Sequence, residues 1–179
     1  SSSKDDFEYR IGLLADTHTD ENLEYSRPYQ EGVAAKLKDF KPNLVIHMGD
    51  IVMGHSQERD GTPNNEYVRQ YATDQEFETF FTLYRDILAN SIFCPVAGNH
   101  DWSTYNSYDF SIFADEFYLP ENGPEGRPSK YHTELFVKES NHSFNYGGIH
   151  FTTLGIGYIT FSDASTANTL MVEPYKWLE

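Results

Sequence analysis

The chain has 179 residues, of which 39% are hydrophobic and 16% aromatic, and these proportions suit a single folded domain over residues 1–179. Its formal net charge of −15, from 28 acidic and 13 basic residues, disfavours a broad nucleic-acid-binding surface, which normally needs a basic patch. No apolar stretch approaches the roughly 18 residues that would suggest a membrane span, and the single Cys94 is expected to be a small buried hydrophobic residue.

Strands and helices alternate in the first half of the chain. The predicted order is a strand at 10–16, a helix at 31–40, a strand at 43–50, a long loop at 53–73, a helix after Thr73 and a strand at 92–96. The first helix would place Val33, Leu37 and Phe40 on one face. Thr73 and Glu76 form a capping-box pattern at the start of the second helix.

This alternation predicts an α/β fold with a mainly parallel sheet covered on both faces. Ligands of such sheets bind beyond the carboxyl ends of the strands. Polar clusters follow all three predicted strands, as ADTH at 15–18, MGD at 48–50 and AGNHD at 97–101. The three clusters are therefore expected to meet at one edge of the sheet.

The second half of the chain has a different pattern. It predicts a short helix at 108–117, a turn-rich loop at 119–130, strands at 131–137, 143–146 and 149–154, and the opening of a helix at 173–179. The glycine pair Gly147-Gly148 separates the last two strands. Because nothing caps the final helix, we expect the sequence to stop inside an element.

The clusters contain a consistent set of metal ligands, namely Asp16, His18, Asp50 and Asn99, which suit Mn, Fe, Zn or Mg. Two dications about 3.5–4 Å apart repel each other and need a shared carboxylate, for which Asp50 in the central cluster is the natural candidate. His18 and Asn99 are neutral, so the centre would keep a positive charge and attract an anion.

The residues after Asn99 have other expected roles. His100 could donate a proton to a leaving oxygen or stabilise charge on the transferring group. Asp101 is expected to accept a hydrogen bond from the other imidazole nitrogen and orient the ring, the alternative being a helix N-cap.

In this order, D-x-H at 16–18, G-D at 49–50 and G-N-H-D at 98–101 resemble the calcineurin-like metallophosphoesterase superfamily. Residues 141–154 and 173–179 resemble a strand segment and a helix start of the same family, so the resemblance spans nearly the whole chain. It implies a four-layer α/β/β/α sandwich. It also implies that Asp16 and His18 bind a first metal, Asp50 bridges, Asn99 binds a second metal and His100 is the catalytic histidine.

The family adds histidines from two later motifs, a lone His and a G-H-x-H, and neither occurs before Glu179. We therefore expect the sequence to be truncated at the C-terminus, with the remainder of the same protein completing the metal site. The other histidines are expected to lie outside the centre: His47, His132, His142 and His150 in structural roles and His55 in a solvated loop.

The expected function is that of a dinuclear metal-dependent phosphoesterase, in which a metal-bound hydroxide attacks a phosphate mono- or diester and His100 assists the leaving group. Two divalent or trivalent ions are its expected cofactors and a small phosphorylated molecule its substrate. The alternative is a catalytically inactive binding scaffold of the same fold. A polymer-directed nuclease is disfavoured by the acidic charge balance, and both a cytoplasmic and an exported location are compatible with the sequence.

Overall fold

The computed structural model describes residues 9–20, 23, 26–54, 72–98, 100–101, 111–123 and 141–154. Its elements are β1 (Ile11–Leu14), α1 (Arg27–Phe40), β2 (Leu44–His47), α2 (Asp74–Leu88), β3 (Ile92–Pro95), α3 (Ser111–Glu116), β4 (Asn141–Tyr146) and β5 (Ile149–Leu154). Within these ranges no helix has the length and apolar character to cross a bilayer. Outside them lie Asn99, His55, His132, most of the predicted 53–73 loop, residues 124–130, the predicted strand at 131–137 and the predicted final helix.

The first three strands form a parallel sheet in the order β1-β2-β3. In register, Leu14 pairs with His47 and His47 pairs with Pro95, so the three strands end level with one another. The predicted α/β fold with a parallel sheet is confirmed, and the three polar clusters leave the sheet at one edge.

Helix α1 begins earlier than predicted and buries a different residue. It starts at Arg27, and Pro28 in its first turn suits a helix start because proline has no N–H to leave unpaired there. Of the predicted apolar face, Leu37 packs against the core, whereas Val33 and Phe40 remain 41% and 46% exposed, so the face is covered only in part. The residue that α1 buries is Gln30, because this part of the helix packs against polar loops rather than against the core.

Helix α2 supplies the centre of the core. The Thr73 side chain accepts from the Glu76 N–H while Glu76 bonds back to the Thr73 N–H, which confirms the predicted capping box. Phe80 is fully buried, and its ring lies 5.8 Å from the ring of Phe93 in β3 and 5.7 Å from that of His47 in β2. The helix thus covers one face of the sheet, and its aromatic side chains fill the space between.

The β4–β5 hairpin covers the opposite face at β3. Gly147 and Gly148 take φ values of +59° and +78°, as a two-residue hairpin turn requires. His142 of β4 is buried and its Nε2 lies 3.8 Å from the sulfur of Cys94. At β3, helix α2 therefore lies on one face of the parallel sheet and the hairpin on the other. The four-layer sandwich stays a prediction.

Cys94 is buried, as predicted, and burial raises the pKa of its thiol to about 12.

We expect Phe80→Ala to lower the free energy of unfolding by about 3–5 kcal/mol, because the fully buried ring leaves a cavity in the core. Phe40→Ala is the matched control and should cost about 1 kcal/mol or less, since Phe40 is 46% exposed. Urea unfolding followed by circular dichroism measures both. Equal losses in the two variants would contradict this description of the core.

Candidate metal centre

The loops that follow β1 and β2 stay paired beyond the ends of the strands. The His18 N–H donates to the Asp50 carbonyl at 3.0 Å, and the Thr19 N–H donates to the Ile51 carbonyl at 2.9 Å. These bonds continue the parallel ladder of the sheet into the two loops. As a result, the polar residues after the two strands are held side by side.

Three of the predicted ligands have left-handed backbone conformations. The φ angles are 51° at Asp16, 43° at His18 and 52° at Asp50. Side chains with a Cβ avoid this region, and each such residue costs on the order of 1–3 kcal/mol. Strain of this kind collects at functional sites, where the surrounding hydrogen bonds hold it in place.

The side chains of His18, Asp50 and His100 form the candidate centre. Each offers a ligand atom, and these atoms all lie within 4.8 Å of one another. His18 Nε2 is 3.6 Å from Asp50 Oδ2, and the His18 and His100 rings meet edge to face with centroids 4.7 Å apart. Imidazole nitrogens with a carboxylate oxygen are a donor set that suits Zn, Mn or Fe. The residues therefore fit a divalent ion.

The other two predicted ligands are not in this group. Asp16 follows β1, its N–H donates to the Gly49 carbonyl at 3.0 Å, and its side chain is exposed. Among the described residues, the group whose ligand atoms lie within 4.8 Å of one another consists of His18, Asp50 and His100 and does not include Asp16. Asn99 lies outside the described residues. Metal binding by Asp16 and Asn99 stays a prediction.

The imidazole of His100 is oriented by a backbone carbonyl. His100 Nδ1 lies 2.8 Å from the Met53 carbonyl oxygen. Because a carbonyl oxygen only accepts hydrogen bonds, Nδ1 carries the proton and Nε2 is the nitrogen left for a metal or a substrate. The His100 N–H also donates to Asp50 Oδ1 at 2.9 Å, which fixes the carboxylate.

The predicted role of Asp101 as orienter of the His100 imidazole is wrong. Asp101 Oδ1 accepts from the N–H groups of Ile51 and Val52 at 2.8 and 3.1 Å, and Oδ2 accepts from the Gly98 N–H at 2.7 Å. The carboxylate turns back beneath its own loop because these buried N–H groups would otherwise have no partner. Asp101 therefore joins two loops and does not reach the imidazole.

Burial raises the pKa of Asp101 to about 7, and the nearby Asp50 carboxylate adds to the rise. The three backbone N–H groups act in the opposite direction and stabilise the charged form. Asp101 is wholly buried, so the hydrogen bonds it receives are only weakly screened by water. It is a structural support of the centre.

Gly98 is required by the close approach of two loops. A Cβ added there would collide with the Oδ1 and the backbone nitrogen of Asp50. Gly49, whose φ is +106°, lies against the backbone of Gly98. The space beside Gly98 holds the Asp50 carboxylate itself.

The sequence profile of the family described as Calcineurin-like phosphoesterase matches residues 9–179. The chain belongs to this family. The resemblance inferred from the three motifs is confirmed, and family membership supports a metal-dependent phosphoesterase in general. Comparison with curated proteins yields no match.

His47 lies behind the candidate centre and supports its loops. It is fully buried, and its Nδ1 accepts from the Gly49 N–H at 3.3 Å. Its Nε2 lies 3.0 Å from Thr17 Oγ1, and that hydroxyl donates to the Ile51 carbonyl at 2.7 Å. Burial, followed by the nearby His18, lowers the pKa of His47 to about 3. The predicted structural role of His47 is confirmed.

Sequence reasoning missed two supporting groups of the candidate centre, the Met53 carbonyl and the Gln30 side chain. A backbone carbonyl leaves no signal in the residue types. Gln30 lies one residue before the predicted helix at 31–40 and one turn inside the observed helix. The pattern that could have found it is Pro28 near the start of the apolar period, which extends the helix toward its true beginning.

Gly98→Ala should lower the free energy of unfolding by roughly 1–3 kcal/mol, because the added methyl group must displace Asp50. Gly32→Ala is the matched control. Nothing lies within 4 Å of a Cβ at Gly32 in α1, and that substitution should raise stability by roughly 0.5–1 kcal/mol. Chemical denaturation of both variants tests the prediction, which fails if the two substitutions have the same effect.

His47 should make the folded chain lose stability as the pH falls. The folded form keeps His47 neutral down to a pKa of about 3, whereas the unfolded chain takes up a proton below 6.5, so protons favour unfolding between these values. Between pH 7 and pH 5, the wild type should lose about 2 kcal/mol more than His47→Gln, which has no titrating ring. Urea titrations of both proteins at the two pH values give the difference. Parallel pH dependences would show that His47 is not held neutral.

Proposed function

We propose that the chain hydrolyses a phosphate mono- or diester of a small substrate at a centre of two divalent or trivalent ions. The observation that carries this proposal is the convergence of His18, Asp50 and His100, with ligand atoms within 4.8 Å, at the carboxyl edge of the parallel sheet. Membership of the calcineurin-like phosphoesterase family supports the same chemistry.

Asp50 is the bridging ligand in this proposal. Its Oδ1 accepts the His100 N–H at 2.9 Å, and its Oδ2 lies 3.6 Å from His18 Nε2. The carboxylate is thus held in one orientation with both oxygens at the centre. Asp16 and His18 would hold one ion and Asn99 the other, with Mn, Fe, Zn and Mg as the ions that suit these ligands.

The bound ions would supply Lewis acidity to the phosphoryl oxygens and activate the attacking water. His18 and Asn99 are neutral ligands, so the centre keeps a positive charge that favours a phosphate. His100 acts on the leaving group: the Met53 carbonyl holds the proton on Nδ1, and a protonated Nε2 can donate to the leaving oxygen.

A small substrate fits the charge of the chain better than a polymer. The 13 basic residues are outnumbered by 28 acidic ones, so a nucleic acid would be repelled outside the centre. Over distances greater than about 8 Å this repulsion is largely screened at physiological salt, and a small phosphorylated molecule meets only the local field of the site.

The test is phosphatase activity of the full-length protein that contains this chain, with Mn²⁺, on a chromogenic aryl phosphate monoester and on the matching diester. We expect hydrolysis of at least one, and a fall in kcat of roughly 10²–10⁴-fold in His100→Ala, because the leaving group loses its proton donor. His150→Ala, at an exposed histidine of β5, is the matched control and should keep wild-type activity.

Asp50→Asn should abolish turnover, with Asp115→Asn at an exposed position of α3 as its control. Hydrolysis that survives both Asp50→Asn and His100→Ala would contradict the proposed mechanism. Metal binding in calorimetry without turnover of either ester would instead identify a binding scaffold that has lost catalysis.

A further inference from the structure

Gln30 is a polar side chain in the interior of the protein, 5% exposed, and the residue that α1 buries. Its amide holds the chain on both sides of His18. Nε2 donates to the Thr17 carbonyl at 2.7 Å, and Oε1 accepts from the Thr19 hydroxyl at 3.0 Å. A second Nε2 bond, to Ser26 Oγ at 2.9 Å, fixes the amide orientation from the residue that precedes the helix.

The segment that Gln30 holds is strained. His18 has φ of 43°, which a residue with a Cβ adopts only when its surroundings require it. The His18 N–H is bonded to the Asp50 carbonyl, and that bond fixes one side of the segment against β2. Gln30 fixes the other side from α1. The segment around His18 is thus held from two directions.

From these contacts we infer that Gln30 is a positioning residue for the metal centre. Through Thr17 and Thr19 it holds His18 in its left-handed conformation and so places His18 Nε2 beside the Asp50 carboxylate. The part of this inference that concerns metal rests on the proposed function. The part that concerns the His18 backbone does not.

The chemistry of the side chain supports this role. The Thr17 carbonyl needs a donor and the Thr19 hydroxyl needs an acceptor, and a glutamine amide presents both at one end of a flexible stem. Gln30→Met keeps the length of the side chain and removes both polar atoms. It leaves the half-buried Thr17 carbonyl and the buried Thr19 hydroxyl without this partner, so the strained segment loses its support from α1 and keeps only its bonds to the loop after β2.

The experiment compares the full chain with Gln30→Met in two measurements. In the metal-free protein, hydrogen exchange at the His18 amide should become at least about 10-fold faster relative to the Val45 amide in β2, because the loop opens more often. In the second, Co²⁺ titration followed by visible absorption should give an affinity lower by roughly 10–100-fold, as for other supports of metal ligands.

Gln75→Met is the matched control, since Gln75 is exposed in α2, and it should change neither measurement. Unchanged His18 exchange in folded Gln30→Met would overturn the inference. If Gln30→Met does not fold, Thr19→Val is measured instead, because it removes the hydrogen bond from the Thr19 hydroxyl to Gln30 and keeps the bond from Gln30 to the Thr17 carbonyl. Faster His18 exchange supports the inference and unchanged exchange refutes it. A wild type that binds no Co²⁺ would refute the metal proposal, while the exchange data would still judge the role of Gln30.

Discussion

The two oxygens of the buried Asp101 carboxylate accept backbone N–H groups from two loops, those of Ile51 and Val52 after β2 and that of Gly98 after β3. Without the carboxylate, these N–H groups would have no hydrogen-bond partner between the two loops. The carboxylate joins the loops at a fixed distance. The contact between the His100 N–H and Asp50 Oδ1 spans the same two loops and depends on that distance.

The loops that carry the candidate centre are held mainly by main-chain hydrogen bonds, and these bonds explain how the loops keep strained backbone conformations. The loop after β1 is bonded to the loop after β2 through the N–H groups of His18 and Thr19. A residue with a Cβ in the left-handed conformation costs on the order of 1–3 kcal/mol of conformational energy. Such residues persist only where hydrogen bonds like these outweigh that cost. Beneath them, His47 and Phe80 join the loops to the aromatic core of α2. The rigid part of the molecule thus supports the strained part.

Two of the residues that support the candidate centre, His47 and Gln30, are uncharged. His47 is neutral because burial lowers its pKa to about 3, and Gln30 is an amide. A charged group in either place would add its own field to the centre and alter the affinity of His18 and Asp50 for a cation. Neutral supports hold His18 and Asp50 in place without adding a charge of their own.

Local sequence was enough to locate the three strands of the parallel sheet, the β4–β5 hairpin, the capped helix α2 and the three polar clusters, because periodicity, capping and strand-end residues depend on near neighbours. It was also enough to indicate the family, whose motifs are contiguous. Where side chains turn back into the structure, local rules failed: Asp101 reaches backbone 50 residues away, Val33 stays exposed and Gln30 is buried. Tertiary structure decided these, because burial and hydrogen bonding depend on which distant segments arrive at each residue.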